Sequence, residues 1–177
     1  MGMLTSARVD LAAPAADVFT WLIDPAKLTA WLGASGGMPD DTSQLQAGWS
    51  STTDSPPLGK VTVEVLRYEP PTLLEYRTSY QGGDSISTYR LTEGEGVTTL
   101  TLDGDTDWAR PEGSWDAALD TAMEGQSPEV RAAAELELDK VEDQLEQGAF
   151  DSLAQTQMQQ AMDASLQKLK SLVEAAG

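Results

Sequence analysis

Residues 59–80 read GKVTVEVLRYEPPTLLEYRTSY, and the period of this stretch decides the fold class. Val61, Val63 and Val65 fall on one side of an extended chain, with Thr62 and Glu64 on the other. After Glu69-Pro70-Pro71 the alternation resumes, placing Leu74, Tyr76 and Thr78 together and Glu75 and Arg77 opposite. An apolar/polar period of two marks a strand with one buried and one wet face. A Pro-Pro pair between two such runs is a turn. The stretch is therefore two neighbouring strands of an antiparallel sheet.

The same reading extends outward. Downstream, Gln81-Gly82-Gly83-Asp84 is a second turn, and residues 85–92 carry Tyr89 and Leu91 on one face. Glu93-Gly94-Glu95-Gly96 is a third turn, followed by a strand over 97–103 with Leu100 and Leu102 together. Upstream, Leu45, Ala47 and Trp49 alternate, and residues 4–12 (LTSARVDLA) read as a first strand. Short strands joined by tight Gly or Pro turns form a meander with one buried face.

Between the first strand and the meander the period is 3.6. Pro14 stands at a first helical position with Asp17 in the first turn, and Val18, Phe19, Leu22 and Ile23 form one apolar face over Ala15–Ile23. Asp24 caps a second short helix carrying Leu28, Trp31 and Leu32. Gly33, Gly36 and Gly37 end it; with no Lys following and no strand directly before, this run is not a phosphate loop.

After residue 106 the chain reads as helical. Ser114 caps Trp115–Glu124, and Ser127-Pro128 opens a helix to Gln147 with a stripe of Val130, Ala134, Leu138, Val141 and Leu145. The last helix spans Asp151 to Glu174, with Met158, Met162, Leu166, Leu169 and Leu172 or Val173 on one face. At about 1.5 Å per residue it is long enough to cross a whole sheet. A sheet with one apolar face needs a cover, and this helix is the available one. A strongly curved sheet around one helix leaves a gap of the kind that binds small ligands.

Composition limits the chemistry. The 177 residues hold 29 acids, 11 bases, no His and no Cys, for a net charge of −18. The absent thiols and imidazoles remove disulfides, thiolate metal sites, Ser-His triads and the usual zinc sites. No oxygen-ligand loop of EF-hand spacing is present, so no metal or cofactor is expected. A surface this negative repels phosphate backbones and anionic headgroups, so neither nucleic acid nor membrane is an expected partner. No apolar run approaches a membrane span, and Met1 to Ser6 lacks the regions of a secretion signal, so a cytoplasmic location is expected. Charge is uneven: residues 105–146 hold 13 acids and 3 bases, net −10. With only five Lys in the chain, this acid excess resembles proteins of salt-accumulating organisms.

The order strand, two short helices, meander, long helix resembles the SRPBCC superfamily, which includes the START and birch-pollen-allergen-like helix-grip proteins. The resemblance is carried by residues 8–32 (RVDLAAPAADVFTWLIDPAKLTAWL), by Gly48-Trp49, by residues 59–76 and by Gly96-Val97-Thr98-Thr99-Leu100. Within the superfamily it is nearest the polyketide cyclase/dehydrase and heat-shock-protein-90 ATPase activator-like groups. It implies an α+β helix-grip fold, a curved antiparallel sheet wrapped around the C-terminal helix, in a single domain over 1–177. Residues 107–148 depart from that pattern and are expected to be an acidic helical insertion. The 127–147 helix reads as extra packing, a lid, or a homodimer contact.

The resemblance implies a cavity between sheet and C-terminal helix, with Trp31, Trp49, Tyr76, Tyr89, Met158 and Met162 as its expected lining. Ordinary core is the competing reading for each, because aromatics and Met at strand or helix spacing are core by default. Tyr76 and Tyr89 stand out because a buried phenol seeks a partner. Glu64, Glu75, Arg77 and Arg90 lie opposite the apolar set and read as surface pairs. Asp103 and Asp105 read as solvated residues near a strand end. Three functions fit: binding of a small hydrophobic molecule such as a lipid, polyketide or isoprenoid-like compound; protein interaction of the chaperone-activator type; and a cyclase/dehydratase-type enzyme. Binding ranks first, because no catalytic set is visible.

Overall fold

The computed structural model describes residues 2–33, 36–55, 59–80, 83–108 and 149–177. Its strands are β1 (Gly2–Leu11), β2 (Ser50–Ser55), β3 (Gly59–Glu69), β4 (Leu73–Tyr80), β5 (Gly83–Gly94) and β6 (Val97–Trp108). Among the described residues the helices are α1 (Ala15–Ile23), α2 (Pro25–Leu32) and α3 (Ala149–Ala176), with a 3-10 turn at Thr42–Gln44. The strands form one curved, wholly antiparallel sheet in the order β1-β6-β5-β4-β3-β2. This is the expected α+β helix-grip architecture. The expected helices over 115–147, and with them the reading of 107–148 as an insertion, lie outside the described residues.

Local rules place the elements. At the β5–β6 hairpin Gly94 pairs with Val97 across Glu95 (φ 54°) and Gly96 (φ 79°). Two central residues at positive φ make the turn whose twist matches paired strands. The Asp24 carboxylate accepts from the Ala26 and Lys27 amides and caps α2, and Gly33 closes that helix in the left-handed conformation. Pro14 is the residue before α1, one place earlier than its fixed φ suggested.

Two strands differ from the sequence reading. Residues 45–49 are not a strand, although Leu45 and Trp49 turn inward and Ala47 is exposed. The Trp49 amide donates to the Gln46 carbonyl and Gly48 sits at φ 87°, so the chain turns there, and the edge strand is the polar run Ser50–Ser55. In β3 the register shifts between Val65 and Arg67. That bulge leaves Leu66 unpaired and moves the inward phase by one, so Tyr68, not Arg67, follows Val65 on the buried face.

The core lies between the sheet's inner face and the helices. Leu11, Leu74, Leu100, Val65, Val18, Leu22, Leu166 and Leu169 are almost wholly buried. Phe19 of α1 packs on Tyr68 with ring centroids 5.8 Å apart. The 28-residue α3 runs about 42 Å at 1.5 Å per residue, with β1 as its main neighbour in the sheet. Its polar side chains bond the free edge of β1. The Gln159 carboxamide accepts from the Ser6 amide (3.1 Å) and donates to the Ser6 carbonyl (2.7 Å). Gln155 donates to the Leu4 carbonyl (3.0 Å), Lys170 donates to the Asp10 carbonyl (2.5 Å), and Glu174 accepts from the Ala12 amide (3.3 Å). An exposed edge strand invites pairing with another chain, and here the helix occupies those groups.

Candidate functional site

Strand register arranges the inner face in rows. One row runs Val9, Leu100, Leu91, and the next Ala7, Leu102, Tyr89, Leu74, Tyr68. These rows are aliphatic and aromatic. The third row runs Thr5, Gly104, Ser87, Tyr76, Val65, and the fourth Met3, Thr106, Ser85, Thr78, Val63, Ser51. Here small hydroxyl residues replace the leucines. The inner face therefore changes along the strands from hydrocarbon to hydroxyl, and Tyr76 and Tyr89 stand on either side of the boundary.

The two tyrosines form a pair. Their rings stack with centroids 5.9 Å apart and their hydroxyls lie 3.2 Å from each other. Tyr89 is buried and Tyr76 half-buried. Burial raises the Tyr76 pKa, with hydrogen bonds from Tyr89 and Ser87 working against that rise. Burial raises Tyr89 further, and the Tyr76 phenol beside it adds to the effect. Both are neutral phenols at physiological pH.

The methionines of α3 meet the hydroxyl rows. Thr106 Oγ1 donates to Met158 Sδ at 3.8 Å, and Ser85 Oγ lies 3.0 Å from Thr106 Oγ1. A Cβ on Gly104 would stand 2.7 Å from Thr5 Oγ1 and 3.1 Å from Met162 Cε, so both groups fill the space that Gly104 leaves. Thr5 Oγ1 is buried and has no hydrogen-bond partner among the described residues. On the opposite side, a Cβ on Gly37 would lie 2.9 Å from Val63 Cγ2, so the loop after α2 comes down on β3. Buried Met38 and half-buried Trp49 flank that contact. The hydroxyls of β4 and β5 thus lie between a methionine wall and a loop wall.

Of the expected lining residues, the structure brings Tyr76, Tyr89, Met158 and Met162 to this part of the inner face, with Trp49 at its β3 side. Trp31 is elsewhere in character: it is buried in the core, and its indole N–H donates to the Trp21 carbonyl at 3.0 Å. Thr5, Ser85, Ser87, Thr78, Thr106 and Gly104 were not singled out from the sequence. Counting back by twos from Tyr89 would have reached Ser87 and Ser85.

Glu64, Glu75 and Asp103 face outward, whereas Glu93 turns to the helix side and accepts from the Ala15 amide of α1 (2.8 Å). Glu64 pairs with Arg77 (3.4 Å) and Glu75 accepts from Thr88 (3.0 Å). Strand β6 runs on to Trp108, so Asp103 and Asp105 are mid-strand and not near its end. Asp103 accepts from Ser6 Oγ at 2.6 Å and pairs with Arg90 on the outer face. A shallow groove of about 350 Å³ crosses this outer face beside Leu4, Ile86 and Thr88. It is open to solvent; none of the lining residues expected from the sequence border it, whereas Thr5 and Gly104 do.

A family model described as polyketide cyclase/dehydrase and lipid transport matches residues 4–146. The chain belongs to that family. It is accordingly a member of the SRPBCC superfamily. Solved structures agree on the fold. The Bacillus halodurans protein BH1534 superposes with a TM-score of 0.58 at 17% identity, covering 97% of this chain and 96% of its own. A Rhodobacter sphaeroides protein gives 0.55 at 21% identity (99% and 94% covered), and Mesorhizobium loti MLL2253 gives 0.55 at 15% (98% and 98%). No curated protein sequence matches the chain. Among the described residues, no helix is long and apolar enough to cross a membrane.

Proposed function

We propose that this chain binds a small, largely apolar molecule on the inner face of the sheet, between the Met158–Met162 wall of α3 and the loop that carries Met38. The Tyr76–Tyr89 pair carries the reading. Two stacked phenols with facing hydroxyls are set among aliphatic side chains, at the boundary where the leucine rows end. A core serving packing alone is better filled there by Leu or Phe, which bring no hydroxyl to satisfy. The position of α3 supports the reading, because a helix bonded to the β1 edge leaves β4 and β5 to other cover. The family's description, which includes lipid transport, points the same way.

Binding is favoured over catalysis. Glu64, Glu75, Arg77, Arg90 and Asp103 face outward, Glu93 is engaged by the Ala15 amide at the start of α1, and the ionisable groups at the hydroxyl rows are phenols whose pKa is raised. A general base needs a pKa near the working pH. The test is native mass spectrometry of the purified protein, with solvent extraction of the same sample. A co-purifying apolar compound that is lost on replacing Tyr76 and Met162 by Trp supports the proposal. Its absence, together with no uptake of a hydrophobic fluorophore, sinks it.

A further inference from the structure

We infer that the ligand is a neutral molecule bearing hydroxyl or ketone oxygen on an apolar skeleton, rather than a carboxylate lipid or a plain hydrocarbon. This rests on the binding proposal above and names its substrate class. The argument is a count of hydrogen-bonding groups on the third and fourth rows.

Two phenols hydrogen bonded to each other use one of their two protons, whichever of them donates. The Tyr76–Tyr89 pair at 3.2 Å therefore keeps one O–H to offer. Thr5 Oγ1 is within a residue that is 5% exposed and has no partner among the described residues. A buried hydroxyl without a partner costs about 1–3 kcal/mol, so such a group marks a place where an unseen partner belongs. The two groups share the row Thr5–Gly104–Ser87–Tyr76, in which the Ser87 hydroxyl is already engaged with Tyr76. Thr5 Oγ1 and the terminal methyl of Met162, the end of the most adaptable apolar side chain, share the space over Gly104, 2.7 Å and 3.1 Å from where a Cβ there would stand.

Charge decides the rest. Along these two rows every polar inward group is a hydroxyl, and no Lys or Arg is among them. A carboxylate buried without a cation or several donors is strongly disfavoured. The chain's net −18 adds long-range repulsion of an anion. A hydrocarbon, conversely, leaves Thr5 Oγ1 and the spare tyrosine proton unpaired. Ketone or alcohol oxygens pair with such groups and carry no charge.

The experiment uses three probes of one shape: 2-acetylnaphthalene, 2-ethylnaphthalene and 2-naphthoate. Each is titrated calorimetrically into the full chain in 1 M KCl, where long-range repulsion is screened to about 3 Å. The expected result is that the ketone binds about tenfold more tightly than the ethyl compound, as one satisfied buried hydrogen bond supplies, and more tightly still than the anion. Thr5→Val combined with Tyr76→Phe/Tyr89→Phe keeps shape and is expected to erase the preference for the ketone over the ethyl compound while both still bind. Equal binding of ketone and ethyl compound, or tighter binding of 2-naphthoate, overturns the inference and leaves the binding proposal standing. No binding of any probe, with circular dichroism showing a folded chain, overturns both.

Discussion

The two ends of the inner face follow opposite rules of packing. At one end Leu11, Leu74, Leu91 and Leu100 meet Val18, Phe19 and Leu22 of α1 and Leu166, Leu169 and Val173 of α3. At the other, Thr106 meets Met158 of the same helix, and Ser85, Ser87 and Thr78 carry the hydroxyls on across the sheet. One helix thus serves two purposes: its C-terminal half packs leucine and valine onto the sheet, and its N-terminal half offers Met158 and Met162. Branched aliphatic side chains of fixed rotamer make a dense, unique core, whereas Met adapts to an irregular or changing surface. The fold is held at the first end, and the proposed ligand site lies at the second.

The largest effect should separate the two ends directly. Leu100 is fully buried, and Leu100→Ala is expected to lower stability by about 2–5 kcal/mol in urea denaturation, the range for a leucine-sized cavity. Ser87→Ala at the hydroxyl end should stay within about 0.5 kcal/mol, because a half-buried serine packs little. If the two substitutions cost the same, the division into a structural and a binding end fails.

Gly104 tests where the ends meet. A methyl there would press on Thr5 Oγ1 and Met162 Cε, so Gly104→Ala is expected to cost about 1–3 kcal/mol by overpacking. Adding Thr5→Ala to that variant should restore part of the loss, since the two sites share a contact and their effects cannot add. Additivity in the same denaturation series would mean that Thr5 Oγ1 does not fill the space over Gly104.

The tyrosine pair gives a pH signature. A phenol whose pKa is raised in the folded state binds its proton more tightly there than in the unfolded chain. Stability is then unaffected below the unfolded value near 10 and falls as pH rises above it, by up to about 1.4 kcal/mol per pH unit for each such group. Tyr68 and Tyr80 are also raised, chiefly by burial. Melting temperature should therefore drop between pH 9.5 and 11, and Tyr76→Phe/Tyr89→Phe should flatten the drop. An unchanged slope in the double variant would mean that solvent reaches the pair freely.

Much of this was legible in the sequence. The period-two runs placed β3 to β6 and their buried faces, and Asp24 and Gly33 marked the ends of α2. What escaped did so for physical reasons. Leu45 and Trp49 point inward two strand periods apart, yet a turn at Gly48 delivers them, and alternation cannot tell the two apart. The bulge at Leu66 adds one residue, so counting by twos loses phase before Tyr68. Ser85, Ser87 and Thr106 occupy inward strand positions, but hydroxyl side chains read as solvent-facing unless the register is known. The bonds from Gln155, Gln159, Lys170 and Glu174 to β1 span more than 150 residues of chain, and no local pattern encodes them.

The smallest effect concerns charge rather than packing. Residues 105–146 carry net −10 of the chain's −18, so the remaining 135 residues share −8. Like charges this dense repel one another in any compact arrangement, and the repulsion weakens as the screening length falls from about 10 Å at 0.1 M salt to about 3 Å at 1 M. The pairs in the described residues work against that trend, because Arg77–Glu64, Arg67–Glu69 and Lys170–Glu174 are exposed or half-exposed and lose strength with salt. Surface pairs of that kind contribute little each, whereas the uncompensated charge is large, so repulsion should dominate. The expected outcome is a melting temperature that rises by a few degrees between 0.1 and 2 M KCl. Charge-neutralising replacement of Glu135, Glu137, Asp139, Glu142 and Asp143 by Gln or Asn should remove most of that rise while leaving the Leu100→Ala penalty untouched. A melting temperature that stays flat or falls would show that the acidic segment does not press on the grip domain at all.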